Sequence, residues 1–462
     1  MRRHLSLISL ALTFLAALPA AAAASSTQVV SFEAPRELMS WDMRDSTLDE
    51  IRAFGVTNVR QLVYWKDFAP NATSRSKPRN FDGANPDDYP SGTWDRLDAL
   101  VAGARLRGMK VQLTLTGPVP KWATSTRRDY VTRPSVKEFR AWATAVGRRY
   151  GADVDTWSLW NEPNHFHFLM PQYRRGTPVS PGIYRSLYQA GVQGLKATAA
   201  NRNDTFLLGE TAPRGNSKVV FPLDFLRRTL CLNRSYHRVG RCAALDADGY
   251  AHHAYTTAKG PRFVAPNRDD VTLGVLSRLT RALDLAARAG MLPKRLPVYL
   301  TEFGIQSYPD RIQGVSLAKQ AAYMAVAEHI AYVNPRVRLF SQYLMRDDKP
   351  RGNRYPGFES GLRTAAGRKK PAYDAFRLPL AVENYGRTDV LWGLVRPFRH
   401  ATTVTIDVDP PGKGGFRRLK TLRTTATGVY ALRAAHRAGQ RYRVRWTSPS
   451  GQRFAGPAIS AY

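Results

Sequence analysis

The chain has 462 residues, of which 43% are hydrophobic and 23% are charged, and this balance excludes a disordered, fibrous or collagen-like protein. Its formal charge of +33 comes from 69 Lys and Arg residues against 36 Asp and Glu residues. Because the basic residues are spread along the whole chain, they are typical of a solvated basic surface, and we expect no nucleic acid as a partner. The charge also favours an acidic polysaccharide or a cell-wall polymer as a partner, and this alternative stays open.

The first 24 residues have the order of a secretory signal peptide. Arg2 and Arg3 precede an apolar run over residues 5–18, and a stretch rich in alanine follows up to residue 24. The apolar run is too short to span a membrane, because a membrane helix needs roughly 20 apolar residues. We therefore expect cleavage near Ala24 and a secreted, extracellular protein. An uncleaved lipid or membrane anchor is the alternative.

From residue 25 to residue 379, short apolar runs alternate with longer amphipathic segments. The predicted strands cover residues 29–33, 56–64, 110–116, 155–160, 205–209, 247–254, 297–301 and 337–344. The predicted helices cover residues 47–54, 93–107, 135–150, 181–198, 224–230, 271–289, 317–332 and 372–376. A strand followed by a helix, repeated in this way, predicts an α/β protein with a (β/α)8 barrel, the TIM barrel.

After residue 379 the pattern changes to short alternating strands separated by Gly and Pro turns. These strands are predicted at residues 390–395, 403–408, 418–424, 428–433 and 442–447. They indicate a small accessory β-sandwich of the immunoglobulin-like type over residues 380–462. This part carries 14 Lys or Arg and 4 Asp or Glu residues. Two roles stay open for it, packing against the barrel and contact with a polymer or the cell wall.

The only two cysteines, Cys231 and Cys242, lie close together in a chain that we expect to be exported. Oxidising compartments favour disulfides, so we predict that these two cysteines form one; two free thiols are the alternative. No second pair of cysteines and no His-x-x-x-His spacing is present, so the sequence predicts no metal site. No cofactor is implied.

Two glutamates follow predicted strands of the barrel. Glu162 comes after the fourth strand, in the run WSLWNEPN over residues 157–164, and Glu302 comes after the seventh, in VYLTEFG over residues 298–304. In a barrel of this type the carboxyl ends of the strands meet at the catalytic mouth. Cleavage of a glycosidic bond needs one protonated and one ionised carboxyl group on either side of the reacting carbon. We expect partial desolvation to raise the proton affinity of Glu162, as a general acid requires.

With Asn-Glu-Pro after strand four and Thr-Glu-Phe-Gly after strand seven, the chain resembles the retaining glycoside hydrolases of clan A, the cellulase and xylosidase superfamily. The run PVPKWA over residues 118–123 is more similar to family 39 than to the cellulases of family 5. The resemblance implies that Glu162 is the acid/base and Glu302 the nucleophile. A structural ion pair is the alternative for a single glutamate at a strand end.

Four more residues match the pattern of the clan. By this resemblance, Arg60 holds the nucleophile ionised through a charge-assisted hydrogen bond, and Asn161 binds the 2-hydroxyl of the sugar. His253 and Tyr255 match a His-x-Tyr motif after strand six, where the tyrosine orients Glu302 and the histidine lines the sugar site. Arg60 has a structural alternative, which is to neutralise buried carboxylates. Glu210 also follows a strand, but no motif assigns it, and a structural role or a sugar contact is expected.

Aromatic side chains near the strand ends are candidate platforms for the apolar faces of sugar rings. Trp65, Trp122 and Trp160 are the candidates, with the protein core as the alternative. Many relatives carry a tryptophan platform on strand eight, whereas this chain has FSQYLMRD over residues 340–347. We expect Tyr343 to take its place.

The sequence therefore predicts a secreted retaining glycosidase that hydrolyses O-glycosidic bonds in a polysaccharide or oligosaccharide by double displacement. A barrel that binds glycan or cell wall without cleaving it is the alternative.

Overall fold

The computed structural model describes residues 28–349, 357–412 and 414–462. The predicted signal peptide lies outside these residues. Within them, no helix has both the length and the apolar character that crossing a membrane requires.

Eight parallel strands form a closed barrel, in the order β1-β8-β7-β6-β5-β4-β3-β2. The strands are β1 (Val29–Glu33), β2 (Asn58–Tyr64), β3 (Lys110–Thr116), β4 (Thr156–Leu159), β5 (Thr205–Thr211), β6 (Gly249–His252), β7 (Val298–Leu300) and β8 (Val337–Tyr343). Each lies within or overlaps a predicted strand. Strands β2, β3 and β5 are buried along nearly their whole length, because helices cover their outer faces. This burial explains the short apolar runs in the sequence.

Helices follow the strands around the outside of the barrel. The longer ones are α1 (Arg44–Ala53), α2 (Asp95–Leu106), α3 (Val136–Tyr150), α4 (Ser180–Lys196), α5 (Pro222–Thr229), α6 (Ser277–Arg288), α7 (Leu317–Tyr332) and α8 (Pro371–Arg377). Short helical turns lie at Pro35–Leu38, Trp65–Phe68, Pro86–Asp88, Lys121–Ala123, Ala199–Asn201 and Leu273–Val275, and Tyr173–Arg174 pairs with Thr177–Pro178 in a small hairpin. The connections after β2 and β4 are among the long ones, and they leave the carboxyl ends of their strands, where the mouth of such a barrel lies.

The inside of the barrel is polar for a core of this kind. Ser31, Arg60, Gln112, Thr114 and Ser158 are all fully buried on the strands. Buried polar groups are stable only when they are hydrogen bonded, so this layer needs a connected network. It supports the groups at the mouth above it.

The C-terminal part is a β-sandwich of two antiparallel sheets. Its strands are β9 (Leu380–Tyr385), β10 (Thr388–Leu394), β11 (Thr403–Asp409), β12 (Arg417–Arg423), β13 (Val429–Ala435), β14 (Arg441–Thr447), β15 (Arg453–Ala455) and β16 (Ile459–Ser460). One sheet has the order β9-β10-β13, and the other has the order β12-β11-β14-β15 with β16 also paired to β14. The predicted fold class, a (β/α)8 barrel with a small C-terminal β-sandwich, is confirmed.

Helix α7 belongs to the cores of both parts. Its Met324 and Ala327 pack in the barrel core, whereas Ala325 and Val326 pack against Trp392 of the sandwich. Because two sides of the helix are covered, its sequence is apolar on more than one face. A second link is a buried ion pair, since Arg396 of the sandwich donates to Glu328 on α7 and to the carbonyl of Phe376 on α8.

Candidate active site at the barrel mouth

Glu162 and Glu302 follow β4 and β7, which β5 and β6 separate in the barrel, and both carboxylates approach the side chain of His253. Glu162 stands three residues beyond β4 with a left-handed φ of 38°, close after Trp160, whose φ is 75°. Such conformations cost free energy in non-glycine residues and persist where surrounding contacts hold them. One of those contacts is the hydrogen bond from the backbone N–H of Glu162 to the carbonyl of Glu210 at 2.9 Å.

Glu302 is held from two sides. The hydroxyl of Tyr255 donates to its Oε1 at 2.7 Å, and Nη1 of Arg60 donates to its Oε2 at 3.2 Å. Each oxygen of the Glu302 carboxylate thus accepts a hydrogen bond. These are the contacts expected for Arg60 and Tyr255 from the sequence.

His253 lies between the two glutamates. Its Nδ1 is 3.0 Å from Oε1 of Glu162 and 3.6 Å from Oε2 of Glu302. Its Nε2 is 2.7 Å from Oε2 of Glu210. The histidine is fully buried, so it acts as a bridge among three carboxylates and not as an open wall of the site.

Arg60 is the other centre of the network, and its side chain has no exposed surface. Nη1 donates to Glu33 and to Glu302, and Nη2 donates to Oδ1 of Asn161 at 2.8 Å and to Oε2 of Glu210 at 3.1 Å. Asn161 is therefore fixed by the arginine on its side chain, and the hydroxyl of Thr116 accepts from its backbone N–H.

Glu33 and Glu210 complete the cluster. The sequence left Glu210 between a structural role and a sugar contact, and it did not single out Glu33. Burial raises the pKa of Glu33 to about 8, and the nearby Glu302 adds to this, against the opposing effect of Arg60. Burial also acts to raise the pKa of Glu210, but Arg60 and His253 outweigh it and lower this pKa to about 2. Two glutamates that contact the same arginine thus have pKa values shifted in opposite directions.

His253 and Glu162 are shifted in ways that the sequence did not indicate. Burial acts to lower the pKa of His253, but Glu302, Glu162 and Glu210 together raise it to about 10. Burial acts to raise the pKa of Glu162, but the hydrogen bond and charge of His253 outweigh it, so this pKa is below its ordinary value. The expected rise in the proton affinity of Glu162 is wrong for this state, because desolvation alone was considered.

The predicted tryptophan platforms belong to the core. Trp65 is 1% exposed and stacks on Trp142 with ring centroids 5.5 Å apart, and Trp122 packs edge-on against Trp65. Trp160 is also buried, and its indole N–H donates to the carbonyl of Phe168. The burial of all three rings favours the core, which was the alternative to a sugar platform.

Tyr343 is different because it ends β8 at the mouth and is only half-buried. Its ring packs edge-on against Phe358 at 5.1 Å, and Phe358 also contacts Tyr255, 6.2 Å away between centroids. Burial and the charge of Glu302 raise the pKa of Tyr343, which places its hydroxyl near the nucleophile candidate. That Tyr343 takes the place of a tryptophan platform stays a prediction.

Cys231 and Cys242 form a disulfide, as predicted. It closes a short loop after α5, on the connection between that helix and β6, and it has no contact with the glutamate cluster.

No protein-family model matches the chain, and no curated protein matches it in sequence. Solved structures do resemble it. A family 39 glycoside hydrolase from the gut symbiont Bacteroides cellulosilyticus WH2 superimposes with a TM-score of 0.52 at 16% identity, over 88% of this chain and 81% of that one. A monomeric beta-xylosidase from Caulobacter crescentus CB15 gives a TM-score of 0.50 at 14% identity, over 93% of this chain and 96% of that one.

A third similar structure is GH5_18 from Streptomyces cattleya, solved in complex with GlcNAc. Its TM-score is 0.51 at 17% identity, over 77% of this chain and 79% of that one. At this level of identity the likeness concerns the fold. The chain shares its fold with glycoside hydrolases of families 39 and 5.

Proposed function

We propose that this protein is a secreted retaining glycosidase of clan A that hydrolyses O-glycosidic bonds in a polysaccharide or oligosaccharide. Glu302 is the nucleophile and Glu162 is the acid/base. Residues 1–24 support the secretion, and the shared fold of glycoside hydrolases supports the reaction class.

The observation that carries the proposal is the closeness of the two carboxylates. Their oxygens approach the same nitrogen of His253, at 3.0 and 3.6 Å. Because both distances start at the same nitrogen, Oε1 of Glu162 and Oε2 of Glu302 can be separated by at most the sum of the two. This upper limit lies at the lower end of the ~6.5–9.5 Å range of inverting enzymes. Retaining enzymes need about 5–5.5 Å, which leaves no room for a water molecule between carboxylate and sugar.

In the first step Glu302 attacks the anomeric carbon, and the bond from this carbon to the leaving oxygen breaks while Glu162 gives that oxygen a proton. The two donors on Glu302 fix the orientation of its carboxylate for this attack. In the second step Glu162 takes a proton from water, the water oxygen attacks the same carbon, and the bond to Glu302 breaks. Two inversions give net retention.

The first step needs a proton on Glu162, and His253 holds one 3.0 Å away. A sugar that fills the mouth excludes water and strengthens the burial effect on Glu162, which favours its protonated form. The proton then passes from Nδ1 of His253 to the carboxylate, leaving a neutral imidazole that can take it back in the second step. The pair thus keeps one proton available through both steps.

Substitution of the two glutamates tests the proposal on a panel of 4-nitrophenyl glycosides and polysaccharides. Glu302→Gln is expected to lower kcat/KM at least about 10⁴-fold, because no covalent intermediate forms. Glu162→Ala is expected to lose polysaccharide hydrolysis but to keep much of the first step on 4-nitrophenyl substrates, whose leaving group needs no proton. The anomer released first, followed by ¹H NMR, is expected to have the configuration of the substrate.

Glu138→Gln is a matched control. Glu138 lies on α3, where its carboxylate pairs with Lys77 at 2.7 Å and does not belong to the glutamate cluster. It is expected to leave the rates unchanged. Full activity in Glu302→Gln, or a first product of inverted configuration, would refute the assignment. Binding of glycans with no hydrolysis by the wild-type chain would instead favour a non-catalytic glycan-binding protein.

A further inference from the structure

Glu210 is placed as closely to the reacting groups as the residues of the proposed mechanism, yet that mechanism does not use it. It lies next to the end of β5, has no exposed surface and adopts a left-handed φ of 50°. Its backbone carbonyl accepts from the N–H of Glu162. Strained, fully buried glutamates are rare and call for a physical reason.

Every hydrogen-bonding position of its carboxylate is in use. Oε2 accepts from Nη2 of Arg60 at 3.1 Å, from Nε2 of His253 at 2.7 Å and from the hydroxyl of Thr301 at 2.6 Å. Oε1 faces the amide of Gln112 at 3.4 Å and the hydroxyl of Thr114 at 3.5 Å. One oxygen therefore contacts both cations of the cluster.

We infer that Glu210 is a positioning residue that fixes Arg60 and His253 through one carboxylate oxygen, and so sets where these cations meet Glu302 and Glu162. The inference rests on the proposed function, and it assigns the residue that orders the two supporting cations. Glu210 itself touches no reacting atom.

The hydrogen-bond chemistry of His253 supports this role. An ionised carboxylate only accepts hydrogen bonds, and both ring nitrogens of His253 face carboxylates, Glu210 on one side and Glu162 with Glu302 on the other. Both contacts are hydrogen bonds only if the ring is an imidazolium. The charge of Glu210 on Nε2 favours that state, and the adjacent His252, whose pKa burial lowers to about 4, adds no competing charge at neutral pH.

Glu33 provides an internal comparison, because it is a second fully buried glutamate on the same arginine. Its Oε2 accepts from Nη1 of Arg60, and within the described residues its Oε1 has no hydrogen-bond partner. It does not bond to His253. Glu33→Gln therefore alters a contact to Arg60 alone, whereas Glu210→Gln removes the charge that contacts both Arg60 and His253.

The experiment measures the ¹⁵N chemical shifts of the ring nitrogens of His253 at pH 8 in the full chain labelled on its nine histidines. Signals are assigned by their loss in His253→Asn. We expect an imidazolium in the wild type and in Glu33→Gln, and a largely neutral ring in Glu210→Gln, because the pKa falls from about 10 toward its ordinary value of 6.5. Glu210→Asp keeps the charge and is expected to restore the imidazolium in part.

Turnover gives the second measurement. Glu210→Gln is expected to lower kcat about 10²-fold with a smaller change in KM, because the cations lose their places beside the glutamates. Glu33→Gln is expected to lower kcat less than Glu210→Gln does, since Glu33 contacts Arg60 but not His253. Circular dichroism shows whether each variant is folded.

A neutral His253 in the wild type at pH 8 overturns the inference without any variant, and so does an imidazolium that persists in Glu210→Gln. Equal losses of turnover in Glu33→Gln and Glu210→Gln would also overturn it, because they would indicate general packing of the cluster. The NMR measurement needs no substrate, so a protein without glycosidase activity would refute the proposed function while still testing Glu210.

Discussion

Charge is arranged in opposite ways at the barrel mouth and on one sheet of the sandwich, formed by β12, β11, β14 and β15, which we call the open sheet. At the mouth one arginine, Arg60, is enclosed by carboxylates and has no contact with solvent. On the sandwich, Asp407 is covered by Arg443 and Arg445, whose Nε atoms lie 2.9 and 2.6 Å from its Oδ2. The side chains of these two arginines keep 34% and 47% of their surface exposed.

The difference shows that access to water, and not the number of ion pairs, decides what a charge cluster does. In the closed cluster, Glu33 and Glu210 contact the same arginine and still have pKa values of about 8 and about 2. On the open sheet, Arg443 and Arg445 lower the pKa of Asp407 against the effect of its burial, but solvent screens the pairs. In the proposed mechanism the first arrangement holds a proton beside Glu162, whereas the second keeps charge at the surface.

The open sheet presents mainly arginines to solvent. Those at outward or edge positions are Arg417, Arg418, Arg423, Arg441, Arg445 and Arg453. A face of this charge suits an acidic polymer, which is the partner considered from the sequence, and that partner stays a prediction.

The largest expected effect comes from removing the enclosed cation. Arg60→Met leaves buried carboxylates without their partner, so we expect the free energy of unfolding to fall by about 3–5 kcal/mol, with loss of turnover. Urea denaturation at pH 7 measures it. Arg443→Met on the open sheet is the matched control, and a similar loss in both variants would contradict the comparison.

The pH dependence of stability is the next test. The pKa of Glu210 is lowered to about 2, so its contribution to stability is present above its ordinary value of 4.5 and is lost as the pH falls toward 2. The pKa of His253 is raised to about 10, so its contribution is present below 6.5 and is lost as the pH rises toward 10. Glu33, raised to about 8, loses its contribution between pH 4.5 and 8.

We therefore expect Tm to fall by roughly 5 °C or more toward each end of the range from pH 2 to pH 10. Differential scanning calorimetry in buffers of constant ionic strength measures this. Glu33→Gln should flatten the profile between pH 4.5 and 8, and Glu210→Gln should flatten its acid side. Profiles that coincide with the wild type would show that these groups are not shifted as described.

The smallest effect is expected on the open sheet. Asp407→Asn removes a charge whose partners are solvent-exposed, so the free energy of unfolding should change by less than about 1 kcal/mol. The change should shrink further in 0.5 M NaCl, because salt screens exposed pairs. A salt-independent loss of several kcal/mol would mean that this pair behaves like the one at the mouth.

The sequence was most informative about the barrel strands. The predicted runs 110–116 and 29–33 coincide with β3 and β1, because their apolar residues alternate with or adjoin polar ones that the barrel interior also buries. The strand β9 was not among the predicted strands, the first of which in the sandwich began at residue 390, although its sequence, LAVENY, is suited to a strand. Helix ends differed by a few residues, as capping is a weak signal.

The sequence singled out Glu162, Glu302 and Arg60 as site residues, but it did not reveal most of the hydrogen bonds that join the cluster. Glu33 ends β1 as Glu302 follows β7, but no motif marks it, and only the closed barrel shows that both meet Arg60. The sequence led us to expect a raised pKa for Glu162, whereas this pKa is lowered. The cause is the contact with His253, which joins residues 91 positions apart and could not be foreseen from the sequence. Trp65 and Trp122 could not be divided between core and mouth by residue type alone.

Helix α7 has a consequence for how the molecule comes apart. Because Met324 and Ala327 serve one core while Ala325 and Val326 serve the other, neither part can lose its packing without exposing apolar surface of the other. Cooperativity is therefore shared across the boundary seen in the sequence, and heat should melt barrel and sandwich in a single calorimetric transition. A chain that ends at residue 379 would expose the apolar side of α7 that the sandwich covers, and it would be prone to aggregate.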